Sequence, residues 1–127
     1  MSEQRAAKAR IGLVGAGGWW SSGWHAPGLH GHPEAELAAI VETAPAARAT
    51  LGERYGCQTF ASLEELIASD VEVDGVLILT PQRTHFELGM QAIAAGLNVL
   101  IEKPMTTTGE TRRPSWTRRR RRGRSIW

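Results

Sequence analysis

The chain has 127 residues, 42% hydrophobic and 22% charged, enough for one domain with a buried core. A lone cysteine, Cys57, excludes an intrachain disulfide, and no apolar run approaches the ~18 residues of a membrane-spanning helix. The net charge of +2 hides a division: residues 1–110 hold all 13 carboxylates against 7 Lys and Arg, whereas residues 111–127 hold 8 arginines and no acid.

Residues 1–8 read as a flexible start without the apolar block of a signal peptide, so the expected location is the cytoplasm. Next comes Ile11-Gly12-Leu13-Val14-Gly15-Ala16-Gly17-Gly18. An apolar run closed by glycines predicts a strand buried in a parallel sheet. Gly15 and Gly17 carry no Cβ, which lets the chain turn sharply and bring its amides close to a ligand. A helix starting just beyond offers unpaired N–H groups and a positive dipole end to a pyrophosphate. The plainer alternative is an ordinary glycine turn between strand and helix.

The loop then runs long, through Trp19-Trp20-Ser21-Ser22-Gly23-Trp24-His25, with Trp20 standing where a third glycine is expected. Two inserted residues give Gly23 the part of the glycine that admits close helix–strand packing. A short helix from Trp24 to His30 is expected to end at Gly31 and Pro33. Residues 36–41 read as the second strand, finishing at Glu42. Thr43 is the expected cap of the next helix, with Pro45 in its first turn and Gly56 at its end. Residues 57–60 are a short strand or extended link. Ser62-Leu63-Glu64-Glu65 is a capping box leading Leu63, Leu66 and Ile67.

Gly75-Val76-Leu77-Ile78-Leu79 is the clearest buried strand, stopped by Thr80-Pro81. Residues 84–95 predict an amphipathic helix with Phe86, Met90, Ile93, Ala94 and Leu97 on one face. Gly96 closes it, and residues 98–101 form a last strand before Glu102-Lys103-Pro104. Such alternation predicts an α/β, doubly wound parallel sheet with right-handed crossovers and helices on both faces.

In such sheets the ligand lies beyond the carboxyl ends of the strands. The residues expected there are Gly15, Ala16, Gly17 and Gly18, then Glu42, then Thr80, Pro81 and His85, then Glu102 and Lys103. Glu42 can accept both ribose hydroxyls of an adenosine and repel a 2′-phosphate, which favours NAD over NADP. A solvated Glu at a strand end is the bland reading. His85 and Lys103 are the candidates for proton transfer; a lysine facing an oxidised nicotinamide is pushed down toward the working range. Their plain alternatives are a helix-start histidine and a surface lysine beside Glu102. Trp19, Trp20 and Trp24 either stack on a cofactor or pack the loop. His30 and His32 fall on different faces of a helix, so no metal site is expected.

Taken together, Gly15-Ala16-Gly17-Gly18, the Glu42 strand end, Thr80-Pro81-Gln82-Arg83-Thr84-His85 and Glu102-Lys103-Pro104 resemble the Gfo/Idh/MocA oxidoreductases over residues 9–110. The resemblance implies a Rossmann domain holding NAD or NADP, followed in the family by a larger α/β domain with an open antiparallel sheet. It implies that Lys103 lies beside the nicotinamide and the reacting hydroxyl of a sugar or cyclitol. The second domain is expected to be missing, and with it most turnover and any oligomerisation, so that this chain is expected to keep nucleotide binding.

Residues 111–127 form an arginine-rich tail expected to be disordered. One reading is a basic arm for nucleic acid. The preferred one is a frameshift, because a shifted frame through residues 110–117 can encode the amphipathic alanine-rich helix that the family places there. A non-catalytic NAD-binding module is the remaining alternative to the enzyme reading.

Overall fold

The computed structural model describes residues 7–18 and 21–102. Trp19, Trp20, Lys103, Pro104 and the arginine-rich residues 111–127 lie outside the described residues. Five strands alternate with four helices: β1 (Ala9–Val14), α1 (Ala26–His30), β2 (Ala35–Val41), α2 (Pro45–Tyr55), β3 (Gln58–Phe60), α3 (Leu63–Ala68), β4 (Gly75–Ile78), α4 (His85–Ala94) and β5 (Asn98–Ile101). All strands pair in parallel in the order β3-β2-β1-β4-β5. The chain winds outward from β1 to β3, then crosses to β4 on the other side of β1. That reversal is where open α/β sheets bind ligands.

Side chains alternate across the sheet and build a core on each face. Leu13, Ile40 and Leu77 pack with Ala26 of α1 and Leu51 of α2. Val14, Val41, Val76, Ile78 and Val99 pack with Leu63 and Leu66 of α3 and Ala92 and Ile93 of α4. The doubly wound architecture follows from this two-sided burial.

Several local expectations are corrected. The predicted helix from Trp24 begins as one π-helical turn over Ser21–His25 and becomes α-helical only at Ala26. A Cβ at Gly23 would meet no atom of the described residues within 4 Å, so it does not seat the helix on the sheet; the buried small residue there is Ala26. Thr43 does not cap α2. Ala44 occupies the cap position without a side-chain bond, and Glu42 Oε1 accepts the Ala44 amide at 3.0 Å instead. Ser62 does cap α3, accepting the Glu65 amide at 3.1 Å, while Glu65 reaches back to the Ala61 amide at 2.9 Å. Ile67, expected to lead inward, is exposed.

The buried face of α4 is His85, Gly89, Ala92 and Ile93; of the predicted line, Ile93 is buried and Leu97 packs against the same core, but Phe86, Met90 and Ala94 do not lie on it. Ala94 is exposed and Phe86 and Met90 are half-buried. A Cβ at Gly89 would stand 2.9 Å from Ile101 Cδ1, so the helix lies down on β5 along its glycine. No helix among the described residues is long and apolar enough to cross a membrane.

Candidate cofactor site

The carboxyl end of β1 runs into a turn that only glycine permits. Gly15 has φ 86°, and a Cβ there would stand 2.8 Å from the Thr80 amide nitrogen. The turn after β1 therefore abuts the turn after β4. The Gly15 amide also donates to Val41 O at 2.9 Å, tying the loop to the end of β2. Ala16 is buried beneath the loop, whereas Gly17 and Gly18 are exposed on its outer side.

Glu42 meets the glycine loop directly. Its Oε2 accepts the Gly17 amide at 2.5 Å, and a Cβ on Gly17 would lie 2.6 Å from that oxygen. The Glu42 amide donates to Phe60 O at 2.9 Å, which fixes the residue against β3. Arg48 Nη1 donates to Glu42 O at 2.8 Å and to Thr43 O at 3.4 Å. Sequence reading missed this arginine. Its only signal was a cation within the first two turns of the helix that follows the acidic strand end.

The turn after β4 is knitted by its own side chains. Thr84 Oγ1 lies 2.6 Å from Thr80 Oγ1 and 2.7 Å from Pro81 O. A short 3₁₀ turn over Gln82–Thr84 leads into α4. His85 is only 2% exposed, with Nε2 at 2.7 Å from Thr80 O. The carbonyl can only accept, so the bond requires the tautomer with Nε2–H. Pro81 is exposed beside it.

At β5, the Glu102 amide donates to Ile78 O at 3.1 Å. Glu102 Oε2 stands 3.7 Å from His25 Nε2 of the π-helical turn. Trp24, next to that histidine, is 65% exposed. Thus Gly15, Gly17, Glu42, Thr80, His85 and Glu102 share one rim of the sheet, and Lys103 follows Glu102 in the chain. The β1 loop touches each of the other three turns. No trio of His, Cys, Asp or Glu among the described residues is arranged to hold a metal. A hollow of about 380 Å³ opens at the opposite rim, lined by Lys8, His30, Tyr55 and Cys57, and takes no part in this constellation.

The close seating of the loop on Thr80 and Glu42, which Gly15 and Gly17 permit, leaves the exposed backbone at Gly17 and Gly18 on the outer side, where a pyrophosphate can approach. A carboxylate beside that loop suits a ribose diol. The rim thus has the donors and the acceptor that an NAD-type dinucleotide needs.

Residues 9–127 match the family profile described as "Oxidoreductase family, NAD-binding Rossmann fold". An inositol 2-dehydrogenase of Corynebacterium glutamicum is 36% identical over 104 residues, spanning 80% of this chain and 30% of that protein. The rhizopine catabolism protein MocA of Rhizobium meliloti is 36% identical over 104 residues, spanning 82% and 32%. Among solved structures, the WlbA dehydrogenase of Chromobacterium violaceum in complex with NADH and UDP-GlcNAcA superposes with a TM-score of 0.88 at 29% identity. That superposition covers 96% of this chain and 35% of the other. The chain therefore spans about a third of the length of these relatives.

Proposed function

The chain belongs to the Gfo/Idh/MocA oxidoreductase family, and on that premise we propose that it is the NAD-binding part of a sugar or cyclitol dehydrogenase. What carries the reading is the contact of the Glu42 carboxylate with the Gly17 amide, which sets a ribose acceptor against a pyrophosphate loop. Glu42 favours NAD, because a second negative group at the ribose 2′ position would face its carboxylate. Gly15, Ala16, Gly17 and Gly18 bring the loop amides to the diphosphate. Thr80 and Pro81 form the opposing wall.

A bound nicotinamide supplies the hydride acceptor for the substrate carbon. Lys103 Nζ takes the proton that the substrate hydroxyl loses, and returns it in the reverse direction. His85, assigned to proton transfer on sequence grounds, is better read as a positioning residue. Its ring is buried and its Nε2 is committed to Thr80 O, so it holds the wall against which the cofactor lies. The proposed partners are thus a dinucleotide and a polyhydroxylated ring, and the proposed location is the cytoplasm.

Titrating the chain with NADH, followed by nucleotide fluorescence, tests this. Saturable binding with NADPH bound at least tenfold more weakly is the expected result. Equal binding of both nucleotides removes the role given to Glu42, and no binding of either removes the function.

A further inference from the structure

Of the arginines among the described residues, Arg54 and Arg83 are exposed, whereas Arg10 and Arg48 are half-buried. Arg10 Nη1 meets the Glu36 carboxylate at 3.1 Å; Arg48 pairs with no carboxylate among the described residues. Burying part of a guanidinium without a counter-ion costs solvation, and α2 offers no acid in its first turn to offset it. What holds Arg48 is two carbonyls at the end of β2, bonded through Nη1 to Glu42 O and Thr43 O. Its Nε and Nη2 make no hydrogen bond among the described residues. That edge of the planar fork is the shape that takes two phosphate oxygens in parallel. The cation is thus pinned to the main chain of the residue whose carboxylate accepts the Gly17 amide. One strand end carries both an acceptor for a ribose diol and a donor fork without an anion.

We propose that Arg48 is a specificity-determining residue of the dinucleotide site, a cation fitted to a phosphate on the adenosine ribose and masked in this chain by Glu42. The proposal rests on the placing of that ribose at Glu42. With the carboxylate present, a ribose phosphate meets a like charge before it can reach the guanidinium, and the diol is taken instead. Removing the carboxylate leaves a prepared anion site, not a neutral one. The nucleotide preference of the chain is then set by one side chain acting against another already in place.

The full chain is titrated with NADH and with NADPH, followed by nucleotide fluorescence, as wild type, Glu42→Ser and Glu42→Ser/Arg48→Ala. Glu42→Ser removes the charge and clears its space. It is expected to bind NADPH roughly tenfold more tightly than the wild type does, and to prefer it to NADH. Adding Arg48→Ala is expected to take back about tenfold of that affinity, the scale of one hydrogen bond to a charged group, while NADH changes by less than about threefold. A merely structural arginine would weaken both nucleotides alike, so the ratio of the two affinities is the readout. Salt should also weaken NADPH more steeply than NADH in Glu42→Ser, and the two slopes should draw together in the double variant. If Glu42→Ser lacks the native circular dichroism spectrum, Glu42→Gln takes its place, and its narrowed gap between the nucleotides should reopen when Arg48→Ala is added. A folded Glu42→Ser with no gain for NADPH, or a gain that Arg48→Ala leaves intact, overturns the proposal. The two failures are separable. If the wild type binds NADH but Arg48→Ala leaves the ratio unmoved, only this inference fails; if neither nucleotide binds the wild type or any variant, the dinucleotide site falls and this inference with it.

Discussion

Glu42 bridges two turns at once, accepting the Gly17 amide on Oε2 and the Ala44 amide on Oε1. The carboxylate that would receive a ribose therefore already holds the glycine loop against the start of α2. Binding and loop geometry are coupled through one side chain.

Glu42→Gln keeps the shape and loses the charge. A hydrogen bond to a charged group contributes about 1.5–3 kcal/mol, so NADH affinity is expected to fall roughly ten- to hundredfold. NADPH should lose much less, which narrows the discrimination between them. Isothermal titration with both nucleotides measures it; a uniform loss for both would mean that Glu42 acts on the loop alone.

Alanine at the two glycines separates fold from binding. At Gly15 the new Cβ meets Thr80 backbone in a left-handed conformation, and such strain costs about 1–3 kcal/mol. For a domain of this size that lowers the melting temperature by roughly 10 °C. At Gly17 the obstacle is the movable end of Glu42, so the melting temperature is expected to change by less than about 4 °C. NADH binding should still weaken at least tenfold. Thermal melts beside fluorescence titrations distinguish the two positions.

His85→Ala removes a buried ring and leaves Thr80 O without that donor. The expected loss is about 2–4 kcal/mol, read from urea unfolding. His85→Gln can still donate to the carbonyl and should recover part of it. Unchanged stability in His85→Ala would return His85 to the list of groups free to exchange protons.

Burial pushes the Cys57 thiol above its ordinary value, so it stays protonated at neutral pH and should alkylate more slowly than glutathione. In the unfolded chain the thiol ionises at its ordinary, lower value. The folded state is thus favoured below that value and loses this advantage as the pH rises through the folded one. Cys57→Ser should flatten the alkaline fall in melting temperature; an unaltered alkaline limb in that variant would mean that Cys57 does not contribute.

Apolar runs and their glycine or proline boundaries made the strands legible, because a strand buried on both faces must be almost wholly apolar. Gly15, Gly17, Glu42 and Thr80 were legible for a related reason: strand ends in a parallel sheet all face one rim. Other details depend on a third dimension that spacing does not carry. Thr43 is a good cap by type, but Glu42 already occupies the Ala44 amide. Counting along the loop points to Gly23, yet in the π-helical turn a Cβ there would meet none of the described residues. The face of α4 was misjudged because Gly89 scores as neutral in an amphipathic pattern, although its lack of bulk is what seats the helix. The chain position of His85 makes it a candidate for proton transfer, and only packing shows it enclosed.

Because β1 is laddered to β2 on one side and β4 on the other, its peptide hydrogens point alternately into two inner seams and none faces an edge of the sheet. Deuterium uptake should consequently arrive last at Leu13 and Val14, and long before that at Gln58–Phe60, which lean on a single neighbour. A nucleotide lodged over the first turn would slow the central strand most, turning the middle of the sheet into a clock for occupancy.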